Sequence, residues 1–163
     1  MPDFKISPAS TAADLAAVAG LFGDYAASLS IDLNLQAFDA ELAALPGPYQ
    51  APAGALLLAR GPNTRVQSAA PLGCIALKPL DGDGVCEIKR LYIRPEARGA
   101  GLGEALVAAV VAAAKAAGHA EIRLDTLAEM TAARALYRRF GFVDIAPYGT
   151  FPYPGLICLG RRV

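Results

Sequence analysis

The stretch Arg98-Gly99-Ala100-Gly101-Leu102-Gly103 lies between the clearest strand and helix patterns of this 163-residue chain. Before it, Val85–Ile93 predicts a strand. From its first glycine, Gly99–Ala117 predicts a helix whose apolar residues recur at a helical period. Alternate glycines let a backbone approach a ligand closely, and the N–H groups at a helix N-terminus attract anions. The stretch therefore predicts a phosphate-binding turn.

Two nucleotide-binding motifs fit this turn less well. A dinucleotide fingerprint needs a small residue where Glu104 stands, although Asp125 lies about where its acidic residue is expected. A P-loop needs Gly-Lys-Ser or Gly-Lys-Thr, and the sequence contains neither tripeptide. An ordinary tight turn before a helix stays open as an alternative at this point.

The turn and the residues before it resemble a known family. Arg98-x-x-Gly101-x-Gly103 is similar to the Arg/Gln-x-x-Gly-x-Gly/Ala signature of the GNAT (Gcn5-related) N-acetyltransferases. It directly follows Leu91–Glu96, which looks like the fourth strand of that family and the Pro-Glu corner after it. The resemblance implies that the phosphate in question belongs to acetyl-CoA.

A second motif of the same family is matched further along, by Ala133-x-x-Leu136-Tyr137-x-x-x-Gly141-Phe142. Two motifs in the family's order and separation imply the GNAT fold. This fold is an α/β architecture with a mixed, mostly antiparallel sheet that is flanked by helices and splayed between its fourth and fifth strands. The patterns of the whole chain predict a matching element order, βααβββαβαββ, and one domain over residues 1–163.

Hydrophobic periodicity and turn residues predict the remaining elements. Strands are expected at Phe4–Ser7, Ala55–Arg60, Leu72–Pro79, Glu121–Asp125, Phe142–Ile145 and Leu156–Gly160. Helices are expected from a Thr11–Asp14 capping box to Leu29, at Asn34–Leu45 and at Thr131–Phe140.

The resemblance also implies how acetyl-CoA, as the acyl donor, is held. In this family the glycine loop wraps the pyrophosphate with backbone N–H groups, and the strand before it pairs with the pantetheine arm. A backbone N–H group of that strand then binds the thioester oxygen. The cofactor-binding residues are accordingly Leu91, Tyr92, Ile93, Arg98, Gly99, Ala100, Gly101, Leu102 and Gly103.

Glu87 is the candidate general base, because it matches the catalytic-glutamate position of some family members. It lies four residues before Leu91 on one predicted strand, so period-two alternation predicts that the two side chains share a face. A base is needed because an amine with an ordinary pKa of about 10.4 is almost wholly protonated at pH 7. A structural ion pair with Lys89 is the alternative, and a water molecule between Glu87 and the amine is a further variant.

Tyr137 is the candidate general acid, because the family tyrosine at this position points its hydroxyl at the CoA sulfur. It also lies in an apolar stripe with Leu136 and Phe140, so a core aromatic is the alternative, and the two roles are compatible. The family often has Asn seven residues earlier, where this chain has Met130. That cofactor contact is therefore not assigned here.

The resemblance places the acceptor opposite the CoA, between the segments Tyr25–Phe38 and Pro147–Pro154. Tyr25, Phe38 and Tyr148 are the candidate substrate contacts. Aromatic walls with a few carboxylates suit a small amine or an amino acid. Ordinary packing of a helix surface and a Pro-aromatic loop is the alternative.

Composition disfavours other function classes. The chain carries 15 Lys and Arg against 15 Asp and Glu, whereas nucleic-acid binders usually have a basic excess. It is 55% hydrophobic, but its longest apolar run, Ala105–Ala114, is half the length of about 20 residues that a membrane-spanning helix needs. Three cysteines without metal-ligand spacing predict core thiols, and the N-terminus lacks a basic signal region. We therefore expect a cytoplasmic protein without a metal.

The sequence predicts an acetyl-CoA-dependent N-acetyltransferase that acts on a small amine by direct attack in a ternary complex. A route through an acylated Cys86 is disfavoured, because that residue is expected to face away from Glu87. Two rivals remain: a non-catalytic acyl-CoA-binding or regulatory module on the same fold, and a nucleotide-binding α/β protein. We expect no nucleic-acid or membrane partner and leave a homodimer open.

Overall fold

A mixed β-sheet forms the centre of the molecule. The computed structural model describes residues 3–33, 37–61, 69–149 and 155–163. Within these ranges the strands are β1 (Lys5–Pro8), β2 (Ala55–Gly61), β3 (Ala70–Pro79), β4 (Val85–Ile93), β5 (Glu121–Leu127), β6 (Val143–Asp144) and β7 (Leu156–Arg162). Their spatial order is β1-β2-β3-β4-β5-β7-β6. Neighbouring strands are antiparallel except β4 and β5, which run parallel.

Helices cover both faces of this sheet. They are α1 (Ala12–Ser28), α2 (Phe38–Ala43), α3 (Leu102–Ala116) and α4 (Thr131–Arg139) within the described ranges. One buried cluster packs α3 and α4 on the sheet and includes Leu106, Val110 and Ile122. The other packs α1 and α2 on the opposite face and includes Phe22 and Leu58. The predicted α/β fold and its element order are confirmed.

The helix starts follow local backbone chemistry. The predicted capping box opens α1: Thr11 Oγ1 accepts a hydrogen bond from the Asp14 N–H at 3.1 Å, and the Asp14 carboxylate accepts one from the Thr11 N–H at 3.3 Å. α3 begins at Leu102 rather than at Gly99. Gly99 and Gly101 each have φ of +82°, a left-handed conformation that cannot continue a right-handed helix.

Two short elements differ in length from their predictions. α2 spans Phe38–Ala43 instead of Asn34–Leu45, and the predicted start lies outside the described residues. β6 spans Val143–Asp144 instead of Phe142–Ile145. Both differences concern element ends, where periodicity carries least information.

A bulge interrupts β4. Between the register pairs Cys74–Tyr92 and Ala76–Lys89, one residue of β3 faces two of β4, the first of which is Arg90. Arg90 has φ of +60°, a region that residues other than glycine rarely adopt. The bulge changes the register of β4, whose pairing with β3 continues at Tyr92 and Ile93.

β4 and β5 separate before the bulge, as the fold prediction requires. Their register consists of three residue pairs and ends at Glu87 and Arg123.

The bulge also corrects one prediction. Cys86 and Ile88 belong to the cluster beneath α3, so Glu87 between them points to the opposite face, whereas Leu91 packs on the α3 side. The prediction that Glu87 and Leu91 share a face is wrong, because one extra residue inverts the alternation.

Candidate active site

Three cavities follow the splay from its open end inward. The loop cavity, of about 400 Å³, is lined by the glycine stretch and by α4 residues such as Arg139. The groove, of about 310 Å³, runs along Leu91–Ile93 and shares Arg98 with the loop cavity. The inner cavity, of about 40 Å³, shares Tyr25 with the groove and is lined by polar residues of β4 and β5. Their shared lining residues make the three cavities one path.

The glycine stretch gives the loop cavity a wall of backbone N–H groups. The N-cap residue of α3 is Gly101, which has no side chain that could accept a hydrogen bond from the first turn of the helix. N–H groups in a first helical turn, such as those of Leu102 and Gly103, have no partner within the helix. The aligned peptide dipoles also place partial positive charge at this end. This wall therefore fits a phosphate group.

Two residues of the stretch hold it against β4. A Cβ atom on Gly103 would lie 3.1 Å from Leu136 Cδ2 and 3.2 Å from Ile93 Cδ1, so the glycine allows close packing. The Nε–H of Arg98 donates to the Ile93 carbonyl oxygen at 3.0 Å, and its guanidinium carbon lies 5.9 Å from the centre of the Tyr92 ring. The loop and the end of β4 are thereby fixed to each other.

The groove presents an open edge of β4. Leu91, Tyr92 and Ile93 line it and are half-buried. The edge that faces β5 has no β5 partner beyond Glu87 in the described chain. Unpaired N–H and C=O groups at a strand edge bind an extended ligand as if it were another strand. The groove therefore suits an extended arm that contains amides.

Tyr137 lies in the wall of the inner cavity and is 5% exposed. Its ring packs edge-on against Phe142, with 5.7 Å between ring centres. Burial, reinforced by Tyr25 and Asp125, raises the pKa of Tyr137 well above its ordinary value. The hydroxyl therefore keeps its proton at neutral pH. The packing of the ring is compatible with a role of the hydroxyl as a proton donor.

A chain of charged groups leads from the inner cavity into the protein. Lys89 and Asp125 line the cavity, with 3.6 Å between Lys89 Nζ and Asp125 Oδ2. Lys89 Nζ also lies 3.4 Å from Glu87 Oε1. Tyr148 donates its hydroxyl hydrogen to Glu87 Oε2 at 2.6 Å. Burial and the charge of Glu87 raise the pKa of Tyr148. The predicted ion pair between Glu87 and Lys89 is therefore present, inside a larger network.

Comparison with known proteins identifies the family. Residues 35–142 match the model of the Acetyltransferase (GNAT) family. This chain belongs to the GNAT acetyltransferases. An uncharacterised N-acetyltransferase of Schizosaccharomyces pombe is 38% identical over 137 residues, which are 84% of this chain and 81% of the relative. An acetyltransferase structure from Streptococcus agalactiae matches 100% of both chains, with a TM-score of 0.78 and 21% identity. A structure from Salmonella typhimurium with its cofactor acetyl-CoA matches 98% of this chain and 94% of that chain, with a TM-score of 0.69 and 16% identity.

The predicted cofactor residues of this GNAT protein lie along the path of cavities. Leu91, Tyr92 and Ile93 line the groove, and Arg98 lines both the groove and the loop cavity. The loop cavity is also lined by Gly99, Gly101, Leu102 and Gly103. Ala100 lies on the outer side of the loop, in a depression that it shares with Phe4.

The predicted acceptor contacts divide into two groups. Tyr25 lines the groove and the inner cavity, and Tyr148 reaches the charged network through Glu87. Phe38 is instead 6% exposed and lies beneath the guanidinium of Arg90, whose carbon is 5.4 Å from the ring centre. Its ring therefore supports the bulge. Residues 150–154 of the predicted acceptor loop lie outside the described residues.

Sequence reasoning missed two residues of this GNAT site. Asp125 was considered only as the acidic residue of a dinucleotide fingerprint, yet it lines the inner cavity opposite Lys89. Glu41 was not considered, yet it pairs with Arg90 at the bulge. Lys89 comes opposite Asp125 when the parallel β4–β5 register is continued from Glu87 by two residues, and sequence periodicity does not report that register.

Two further features of the described part of the GNAT protein concern metals and membranes. Among the residues that the structure describes, no group of three or more His, Cys, Asp or Glu side chains is placed to hold a metal ion. Across the same ranges, no helix combines the length and the apolar character needed to cross a membrane.

Proposed function

We propose that this GNAT protein transfers the acetyl group of acetyl-CoA to the amine of a small substrate, by direct attack in a ternary complex. The observation that carries the proposal is the single path from an anion-binding loop to an inner cavity with Tyr137 in its wall. The loop cavity fits a pyrophosphate, and the groove fits an extended amide-containing arm. The acetyl-CoA in the Salmonella typhimurium structure supports this choice of ligand.

Each part of the path has a defined task in this proposal. Acetyl-CoA, when bound, supplies an acetyl group activated as a thioester. Arg98–Gly103 hold the pyrophosphate through backbone N–H groups, and Leu91–Ile93 pair with the arm. An N–H group of that open edge stabilises the negative charge that develops on the thioester oxygen, which is the task of an oxyanion hole.

The amine must lose a proton, and Glu87 is the proposed acceptor, directly or through a water molecule. It is 3% exposed and keeps its place through the Tyr148 hydroxyl and the Lys89 ammonium. The inner cavity, at about 40 Å³, has room for an ordered water, which needs about 10–15 Å³. Positioned proton transfer of this kind contributes about 10²- to 10⁴-fold to a rate.

The leaving sulfur must gain a proton, and Tyr137 is the proposed donor. Its raised pKa keeps the hydroxyl protonated until the transfer. Direct attack is supported by the state of Cys86. Burial raises the pKa of Cys86 to about 12, and its thiol donates to the Glu121 carbonyl oxygen at 3.5 Å. A neutral thiol at the closed end of β4 is poorly suited to carry the acetyl group.

Two observations favour a small amine as acceptor. Tyr25 offers aromatic surface in the inner cavity, and Asp125 offers negative charge there to an ammonium group. The chain also has no net charge, whereas strong attraction to a charged macromolecule needs an excess of the opposite sign. The acceptor is therefore proposed to be a small amine or amino acid.

The decisive experiment measures CoA release from acetyl-CoA against a panel of small amines and amino acids. We expect release that depends on the acceptor and saturates with it for at least one amine class. Tight acetyl-CoA binding without acceptor-dependent release would overturn the proposal in favour of an acyl-CoA-binding module. Affinity for ATP or NAD without affinity for CoA would indicate a nucleotide-binding protein.

Gly101→Ala is expected to weaken acetyl-CoA binding by about tenfold or more, which corresponds to about 1.4 kcal/mol. The added methyl group meets no protein atom within 4 Å, so it projects into space that the ligand is proposed to use. Gly118→Ala is the matched control, because its φ of +84° and open surroundings impose the same backbone strain at the far end of α3. Isothermal titration with acetyl-CoA checks the difference. Equal affinities of the two variants would place the phosphate site elsewhere.

A further inference from the structure

The inner cavity communicates with Glu87 through Lys89. Residues that line the cavity include Lys89, Asp125 and Tyr137, whereas the Glu87 carboxylate lies behind Lys89 and its side chain is 4% exposed. The distance from Lys89 Nζ to Glu87 Oε1 is 3.4 Å, and to Asp125 Oδ2 it is 3.6 Å. The buried Lys89 ammonium therefore lies between the Asp125 carboxylate, which faces the inner cavity, and the Glu87 carboxylate, which does not.

The position of Lys89 and Asp125 in the sheet accounts for this arrangement. Backbone pairing of β4 with β5 ends at Glu87 and Arg123, and the next residues on the same faces are Lys89 and Asp125. Their side chains bridge the gap just where the strands separate. The two side chains are only 7% and 14% exposed, so this pair forms the floor of the inner cavity.

We propose that Asp125 and Lys89 form a proton relay that connects the reacting amine to Glu87. The proposal rests on the proposed function and specifies how its base is reached. As the nitrogen–carbon bond forms and the carbon–sulfur bond breaks, Asp125 takes the amine proton. Lys89 then passes one of its protons to Glu87 and takes the proton of Asp125, which leaves Lys89 and Asp125 as they began. The sulfur leaves with the proton of Tyr137, and solvent exchange restores Glu87 and Tyr137 after the products depart.

The residue types fit a relay better than a simple clamp. A lysine side chain can pass on a proton and regain one, whereas an arginine guanidinium stays protonated in proteins. The carboxylate ends of the relay are distinct, because Glu87 accepts the Tyr148 hydroxyl at 2.6 Å, while Asp125 faces the cavity. Charged groups near the network include Lys78, 3.7 Å from Glu87, and Arg123, over the Tyr148 ring. Arg90, which is paired with Glu41, also lines the inner cavity.

The Lys89→Arg variant distinguishes a proton relay from a purely structural ion pair. Arginine keeps the positive charge at this position but cannot pass on a proton. We expect kcat to fall by about 10²-fold, with the Kd for acetyl-CoA unchanged within twofold. The matched control is Lys78→Arg. Lys78 contacts the same Glu87 oxygen from the outside, and its side chain is 32% exposed. The control is expected to retain wild-type kcat. Equal kcat in wild type and Lys89→Arg would overturn the relay.

The Asp125→Asn variant and a double variant test the relay without depending on whether an arginine side chain fits at position 89. Asp125→Asn should lower kcat by about 10²-fold, while Glu121→Asn on the same strand leaves kcat intact. Because members of one relay act as a unit, Glu87→Gln combined with Asp125→Asn should be no slower than the slower single variant. Multiplicative losses, or a wild-type kcat in Asp125→Asn, would overturn the relay. A wild type that turns over no amine would overturn the proposed function itself, and the two failures are thereby distinguished.

Discussion

Tyr137→Phe is expected to lower kcat by about 10²- to 10³-fold, while the Kd for acetyl-CoA stays within twofold of wild type. Phenylalanine keeps the ring that packs against Phe142 at 5.7 Å, so the wall of the inner cavity is preserved. Only the hydroxyl is removed, and with it the proposed proton for the leaving sulfur. Steady-state kinetics with a saturating acceptor, beside a titration of acetyl-CoA binding, separates the two quantities. An unchanged kcat would contradict the acid role.

The same residue has a predicted signature in the pH profile. Burial raises the pKa of Tyr137 above its ordinary value of about 10. An acid must be protonated to act, and a raised pKa keeps this form populated at every pH below the raised value. The rate of the wild type should therefore show no loss from Tyr137 between pH 6 and about pH 10. A tyrosine-dependent decline that begins near pH 8, present in wild type and absent in Tyr137→Phe, would contradict the buried, protonated hydroxyl.

The parts of the fold that the sequence predicts are those governed by local chemistry. The apolar stripe of α3 becomes the buried side of that helix, with Leu106, Val107 and Val110 fully buried. The capping residues Thr11 and Asp14 form the expected reciprocal hydrogen bonds. The start of α3 was placed too early because a pattern of side chains does not report the positive φ of the glycines before it.

The charged part of the site depends on contacts between distant segments, which periodicity does not report. Tyr148 reaches Glu87 across 61 residues of sequence, and Arg90 reaches Glu41 across 49. The bulge accounts for the wrong face assigned to Leu91, because its extra residue lies between Glu87 and Leu91 in β4. A bulge displaces one residue without changing the apolar pattern of its strand, so alternation alone assigned the wrong face.

A buried ion pair lies at the bulge and carries the largest expected effect on stability. Arg90 donates from Nε to Glu41 Oε2 and from the terminal nitrogen Nη2 to Glu41 Oε1, both at 3.0 Å. The two side chains are 4% and 16% exposed. Burial acts to lower the pKa of Arg90, but the hydrogen bonds and charge of Glu41 outweigh it, so the net shift is upward and the guanidinium stays charged. Removing either charge therefore leaves the other buried without its partner.

Arg90→Met is expected to lower the free energy of unfolding by about 3–5 kcal/mol, the cost of leaving a buried charge uncompensated. In a domain of this size, 1 kcal/mol corresponds to about 2–4 °C, so Tm should fall by about 10 °C. The control is Arg138→Met. Arg138 lies 2.8 Å from Asp144, but both side chains are largely solvated, so less than about 1 kcal/mol is expected. Urea unfolding of both variants measures the two changes.

The double variant Arg90→Met/Glu41→Met separates the effect of the ion pair on stability from its effect on the bulge. Two apolar side chains remove both buried charges, so most of the lost stability should return. The conformation of the bulge is a separate quantity, since Arg90 holds φ of +60° and its guanidinium ties β4 to α2 through Glu41. If the pair positions the open edge at Leu91–Ile93, the stable double variant will still bind acetyl-CoA more weakly than wild type and turn over more slowly. Wild-type affinity and kcat in that variant would show that the bulge is held by the strands themselves, and that the ion pair only neutralises its own charges.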